Sequence, residues 1–187
     1  VDACIDPDRL DLPPLSANRY MAFVDPSGGS QDGMTLAIGH REAETLVVDA
    51  VRERVPPFSP DDVVSEFAKL LKTYRVHKVI GDKYGGEWPR ERFREHGITY
   101  VAAAKPKSDL YRDLLPRLMA GGIALPDMSK LRTQLIGLER RTARSGRDSI
   151  DHGPGGHDDV CNAVAGLVQA VGTGGAGVKT HRIRGLL

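Results

Sequence analysis

Three acidic residues stand where a strand should end or a helix should begin. Asp25 closes the apolar run Tyr20-Met21-Ala22-Phe23-Val24. Asp82 closes Lys78-Val79-Ile80-Gly81, and Asp159, preceded by Asp158, opens the long apolar stretch that ends near Val171. If the two strands are neighbours and the helix packs on their edge, these carboxylates meet. Carboxylates held that close repel one another, and a bound divalent cation is the usual remedy. Hard oxygen donors select Mg²⁺ or Mn²⁺. Two such ions about 4 Å apart activate water and stabilise the leaving oxygen in phosphodiester cleavage. Taken singly, each acid is equally well explained as a turn residue or a helix cap. Taken together, in this element order, they favour one shared site.

Helical spacing separates the two adjacent aspartates. Val160, Val164, Leu167, Val168 and Val171 form the apolar stripe. Asp159 heads a row of small residues, Ala163, Gly166 and Ala170, which would let the helix approach another element closely. Asp158 heads a more polar row, Asn162, Ala165 and Gln169, expected to face solvent. Asp159 is therefore the expected ligand and Asp158 the expected cap, with Asn162 one turn away to assist a metal or its water. Asp32, just past the turn Pro26-Ser27-Gly28-Gly29-Ser30, could return toward Asp25 as a further ligand. His157 could orient a water or a phosphate, whereas His152 reads as an exposed loop histidine. Lys83 and Lys105 flank the site, within reach of phosphates if not simply solvated. Arg140, Arg141, Arg144 and Arg147 lie in a polar, Gly-containing stretch that suits either a phosphate backbone or plain solvent.

The elements that must position these residues are legible in outline. Residues 20–25, 33–40 and 44–51 read as three consecutive strands, an antiparallel meander. Ser59-Pro60-Asp61-Asp62 is a helix start, with Ser as cap, Pro in the first turn and acids behind it. A strand over 78–82, a helix from Glu87 to a stop at Gly97 and a strand over 98–102 follow. A helix over 108–120 should be kinked or split by Pro116. A short strand at 123–125, a helix marked by Leu131, Leu135 and Leu138, the loop 140–156 and a last helix over 157–171 complete the chain. The expected fold is α/β: a central mixed sheet, antiparallel meander then parallel strands, with helices on both faces.

The composition narrows the function classes. With 187 residues, 40% hydrophobic and 27% charged, the chain suits one domain with a proper core. No apolar run is long enough to span a bilayer, and no secretory signal pattern opens the chain. Cys4 and Cys161 are too few and too far apart for a disulfide framework or a thiolate zinc site, which fits a reducing cytoplasm. A net charge of +1 leaves nucleic-acid affinity to local clusters. Aromatic residues, 5% of the chain, do not interleave with the arginines, so base stacking on single strands is not favoured. No G-x-x-x-x-G-K-[ST] occurs, so P-loop ATP hydrolysis is not expected from these residues.

The stretches FVDPSGGSQDGMTLAI, VIGDKYGGEW, AKPKSDLYRDLLPRLMAGGIALP and ERRTARSGRDSIDHGPGGHDDVCNAVAG together resemble the C-terminal nuclease domain of the large terminase subunit of tailed phages and prophages. The resemblance runs from about Tyr20 to Val171. It implies a ribonuclease H-like fold and a metal-dependent endonuclease that cuts concatemeric double-stranded DNA during packaging. By position it implies Asp25, Asp82 and Asp159 as metal-binding acids for two Mg²⁺ or Mn²⁺ ions. Asn162 stands where many members carry Asp. The implied organisation is a lead-in over 1–19 from an upstream ATPase domain, the nuclease domain over 20–171 and a Gly-rich basic tail over 172–187. The implied partners are DNA, that ATPase domain, the small terminase subunit and the portal, in the cytoplasm of a bacterial host and not at a membrane.

Other readings remain open on the residues alone. A junction resolvase or integrase would use the same acids. An actin-like or sugar-kinase-like nucleotide-binding module also opens with an acid on a strand-turn-strand. A packaging component with a dead site is a fourth. ATP binding would favour the third, and absence of metal binding the fourth.

Overall fold

The apolar run ending in Asp25 is the central strand of the molecule. In the structure, a computed structural model describing residues 1–83, 86–142 and 148–173, β1 (Tyr20–Asp25) pairs antiparallel with β2 (Met34–Glu42), and β2 with β3 (Thr45–Arg54). On its other side β1 pairs in parallel with β4 (Lys78–Gly81), and β4 with β5 (Thr99–Ala102). The two-residue β6 (Ile123–Ala124) lies parallel to β3 and completes the six-stranded order β5-β4-β1-β2-β3-β6. The expected meander followed by parallel strands is present.

Helices cover both faces. Alternate residues of β1 and β2, namely Tyr20, Ala22, Val24, Met34, Leu36 and Ile38, are buried with Val63, Val64, Phe67 and Leu71 of α1 (Pro60–Thr73) and Phe93 of α2 (Trp88–Glu95). The other parity, including Phe23 and Ala37, packs under α3 (Lys107–Met119), α4 (Ser129–Ile136) and α5 (Asp159–Thr173). The α1 cap is as expected: Ser59 Oγ accepts from the Asp62 N–H, and Pro60 is the first helical residue. Gly97, at φ +74°, follows α2 as its stop.

Three local expectations are corrected. Pro116 does not split α3, which runs unbroken to Met119. It sits so near the C-terminus that one missing N–H costs a single bond, and its carbonyl still accepts from Ala120 N–H at 3.0 Å. Leu138 is not helical; α4 ends at Ile136 and Leu138 opens a strand. The supposed loop 140–156 contains a hairpin, β7 (Leu138–Thr142) with β8 (Asp148–His152), which makes a sheet of its own. Its arginines hid the pattern, because the hairpin buries little beyond Leu138 and Ile150. Arg144 and Arg147 lie outside the described residues.

Residues 1–19 are tied to the domain. Ile5 bridges in parallel to Leu125, Leu12 N–H donates to Asp49 O, and Tyr74 Oη donates to Leu12 O at 2.6 Å. Cys4 is buried in the α3–α5 side of the core.

Candidate metal centre

The parallel pairing of β1 and β4 brings the first two acids together. Val24 lies opposite Gly81, and Asp82 N–H donates to Val24 O. One residue further along each strand, Asp25 and Asp82 leave the sheet side by side. Asp25 shares the parity of Phe23, so it emerges on the α5 face. A phenol fixes Asp82: Tyr100 Oη donates to the Asp82 carbonyl at 2.6 Å. A Cβ on Gly81 would meet that phenol oxygen at 2.2 Å, so glycine is required there.

α5 delivers the third acid. The small-residue row serves as expected. A Cβ added to Gly166 would lie 2.3 Å from the Phe23 ring, and one on Gly39 2.7 Å from Leu167. The helix can therefore lie directly on β1 and β2 only because these positions are bare. At its first turn, Thr35 Oγ1 donates to Asp159 O at 2.8 Å, and the Gly33 N–H reaches the Asp159 carboxylate. A Cβ on Gly33 would stand 3.0 Å from Glu53 Oε1 and 3.4 Å from Asp159 Oδ2. Cys161 N–H is capped from outside, by Gln134 Oε1 of α4 at 3.0 Å.

A cleft of about 360 Å³ lies between these elements, lined by Asp25, Asp82 and Asp159 together with Asp32, Asp158, Asn162, His152, His157 and Lys107. Burial pushes Asp25 up to about 7. The hydrogen bond from Asn162 opposes the rise, and repulsion from Asp82, Asp159 and Asp158 adds to it. Burial also raises Asp159, with Gly33 opposing and Asp32 and Asp158 adding to the rise. Asn162, almost fully buried, donates from Nδ2 to Asp25 Oδ2 at 2.7 Å. Its Oδ1 is buried with no hydrogen-bond partner among the described residues. Carboxylates sharing one cleft, Asp25 among them raised by burial, beside an orphaned amide oxygen fit an oxygen-liganded divalent cation.

The polar row of α5 does not face solvent. Asp158 and Asn162 are 6% and 1% exposed. The helix is apolar nearly all round, so α3, α4 and the sheet enclose it. Asp158 still occupies the cap position, its carbonyl accepting from Asn162 N–H. Its carboxylate, however, accepts from Tyr111 Oη at 2.8 Å and pairs with Lys107 Nζ at 2.9 Å. Burial pushes the Tyr111 phenol up, which keeps it a donor, and pushes its neighbour Cys161 up to about 12, leaving a neutral thiol.

The remaining candidates divide. Asp32 and His157 line the cleft and are exposed, and Ser27 Oγ holds the Asp32 carbonyl at 2.6 Å. His152, expected to be a loop histidine, ends β8 and also faces the cleft. Lys83 and Lys105 are not among the lining residues; Lys105 Nζ pairs with Asp113 at 2.6 Å. Arg141, on β7, bonds Glu139, while Arg140 borders a separate apolar groove between α3, α4 and the hairpin. The sequence reading missed Lys107, Asp151, Thr35 and Tyr100. Each acts across a long chain separation and belongs to no spacing pattern.

A six-stranded mixed sheet with helices on both faces is the expected ribonuclease H-like fold. The structure is similar to that of the large terminase nuclease from thermophilic phage G20c with bound magnesium, with a TM-score of 0.73 and 20% identity over 84% of each chain. The same G20c nuclease has crystal structures with cobalt and with zinc. The large terminase nuclease domain of Thermus phage P74-26 is equally similar, at 0.73 and 19% identity over 89% of this chain and 90% of that one. The HK97 bacteriophage large terminase matches at 0.69 and 13% identity, over 90% of this chain but 42% of that one. At these identities the likeness establishes the fold. No protein-family model and no curated protein matches the sequence.

Proposed function

We propose that this chain is the nuclease domain of a phage or prophage large terminase, a metal-dependent endonuclease that cuts concatemeric double-stranded DNA for packaging. The observation that carries the reading is the convergence of Asp25, Asp82 and Asp159 on one cleft, with Asp25 raised to about 7 by burial and its acidic neighbours. Those three carboxylates would hold two Mg²⁺ or Mn²⁺ ions. When bound, the ions supply a water acidic enough to attack and charge to stabilise the departing oxygen.

The protein's own groups do the rest. Asn162 steadies one oxygen of Asp25, leaving the other for a cation. Tyr100 and Thr35 fix the backbone that carries Asp82 and Asp159. Asp32 and His157 stand at the exposed rim, where they can orient water. Arg140 and Arg141 on β7, with Arg144 and Arg147 further along the sequence, suit DNA phosphates. In this reading residues 1–19 lead in from an ATPase domain and pack on the nuclease body, 20–171 are the nuclease and 172–187 a basic tail. The small terminase subunit and the portal are the remaining partners, in the host cytoplasm.

Supercoiled plasmid tests the proposal. Incubated with the protein, it should be nicked or linearised with little sequence preference in Mg²⁺ or Mn²⁺, and left intact with chelator. Cleavage that persists in excess chelator would overturn the metal reading.

A further inference from the structure

Lys107 is out of place by local rules. It is the first residue of α3, where the helix dipole disfavours a cation and acids are preferred. Local rules broken in a well-formed fold point to functional or strained positions. Its surroundings explain the choice. Nζ lies 2.8 Å from Asp151 Oδ1 on β8 and 2.9 Å from Asp158 Oδ2 just before α5. Asp158 is 8% exposed at its side chain, so its charge has little access to water. Burial alone would lower the Lys107 ammonium, but the hydrogen bonds to Asp151 and Asp158 hold it above its ordinary value, fully charged.

Two features meet on this ammonium. Asp158 is next in sequence to Asp159 and lines the same cleft, yet Lys107 and Tyr111 both hold its Oδ2. Among the described residues the hairpin shares no strand pairing with the central sheet. Polar contacts tie it to the first turn of α3, where Lys107 meets Asp151 and Ser108 Oγ accepts from Ile150 N–H at 2.9 Å.

We infer that Lys107 is a positioning residue that withholds Asp158 from the carboxylate cluster and, through Asp151, seats the β7–β8 hairpin beside the mouth of the cleft. The first half rests on the metal reading of that cluster; the second does not. Removing the ammonium frees one buried carboxylate and deepens the negative potential at the cleft. Divalent cations should then bind more tightly while the hairpin loosens.

Lys107→Met and Lys107→Arg, with the unaltered protein, test this by Mn²⁺ titration calorimetry, hydrogen exchange of the hairpin amides without metal, and thermal melting. Lys107→Met should bind Mn²⁺ about three- to tenfold more tightly, as expected for losing one nearby positive charge. Its hairpin amides should exchange at least about tenfold faster. Lys107→Arg, which can fork to both carboxylates, should restore both readings toward those of the unaltered protein. Weaker Mn²⁺ binding alongside a lower melting temperature would mean a merely structural lysine and overturn the inference, as would unchanged hairpin exchange. If the unaltered protein binds no Mn²⁺, the nuclease reading fails, and hairpin exchange alone decides the role of Lys107.

Discussion

On the proposed function, Asp159→Asn should keep the melting temperature and remove both Mn²⁺ binding and plasmid cleavage, because it would delete one anionic ligand and leave the helix packing untouched. Asp158→Asn should do the opposite. An isolated cap would tolerate Asn, but this carboxylate is buried against Lys107 and Tyr111. Leaving those donors poorly matched should cost about 1–3 kcal/mol, a loss of several degrees by melting curve with cleavage largely retained. If Asp158→Asn is inactive while Asp159→Asn cuts normally, the ligand assignment is reversed. A second expectation concerns protons. Asp25 rests at about 7 because burial and its acidic neighbours disfavour its charge. A cation must displace that proton, so Mn²⁺ affinity should fall about tenfold per pH unit below 7 and level off above it. In metal-free protein the raised carboxyl gives stability that is fully present below its unfolded pKa and lost as pH rises through about 7. Metal should restore the loss at high pH, and melting curves from pH 5 to 8, with and without Mn²⁺, would show both trends.

The long apolar helix α5 brings Asp159 to the cleft because it can lie against bare positions. Gly166→Ala would put a Cβ 2.3 Å from the Phe23 ring, two residues before Asp25. The helix or the strand must yield, at about 1–3 kcal/mol for overpacking a filled core. The expected outcome is a lower melting temperature together with reduced cleavage, since Asp159 and Asp25 ride on the two elements pushed apart. Gly172→Ala, on the same helix but with nothing within 4 Å, should leave cleavage unchanged and not lower the melting temperature. Equal effects at both positions would show that helix propensity, not close approach, governs the site.

For the molecule as a whole, the first nineteen residues behave as part of the domain. Cys4 is buried, Ile5 extends the pairing beyond β6, Arg9 Nη1 donates to Val48 O and Arg52 pairs with Asp11. Deleting residues 1–13 should therefore lower the melting temperature by several degrees while leaving Mn²⁺ binding in place, because none of these contacts touches the cleft. A melting temperature unchanged by the deletion would show that the segment is only a tether.

The parts of this protein written in local pattern were legible from its residues. Period-two and helical spacing reveal the strands and helices, Ser59-Pro60 marks the start of α1, and the strand-end acids stand out as candidates for one shared site. The small-residue row of α5 even announces close approach. What depends on long-range packing was not legible. Whether the Asp158–Asn162 row meets water is decided by how completely α3 and α4 cover α5, and no spacing within that helix encodes its neighbours. The hairpin at 138–152 carries too few apolar residues to show an alternation, so only its pairing reveals it. Lys107 reads as one more surface lysine until α3, β8 and α5 are brought together. Its role lies in two ion pairs spanning 44 and 51 residues of chain, and tertiary structure alone creates them.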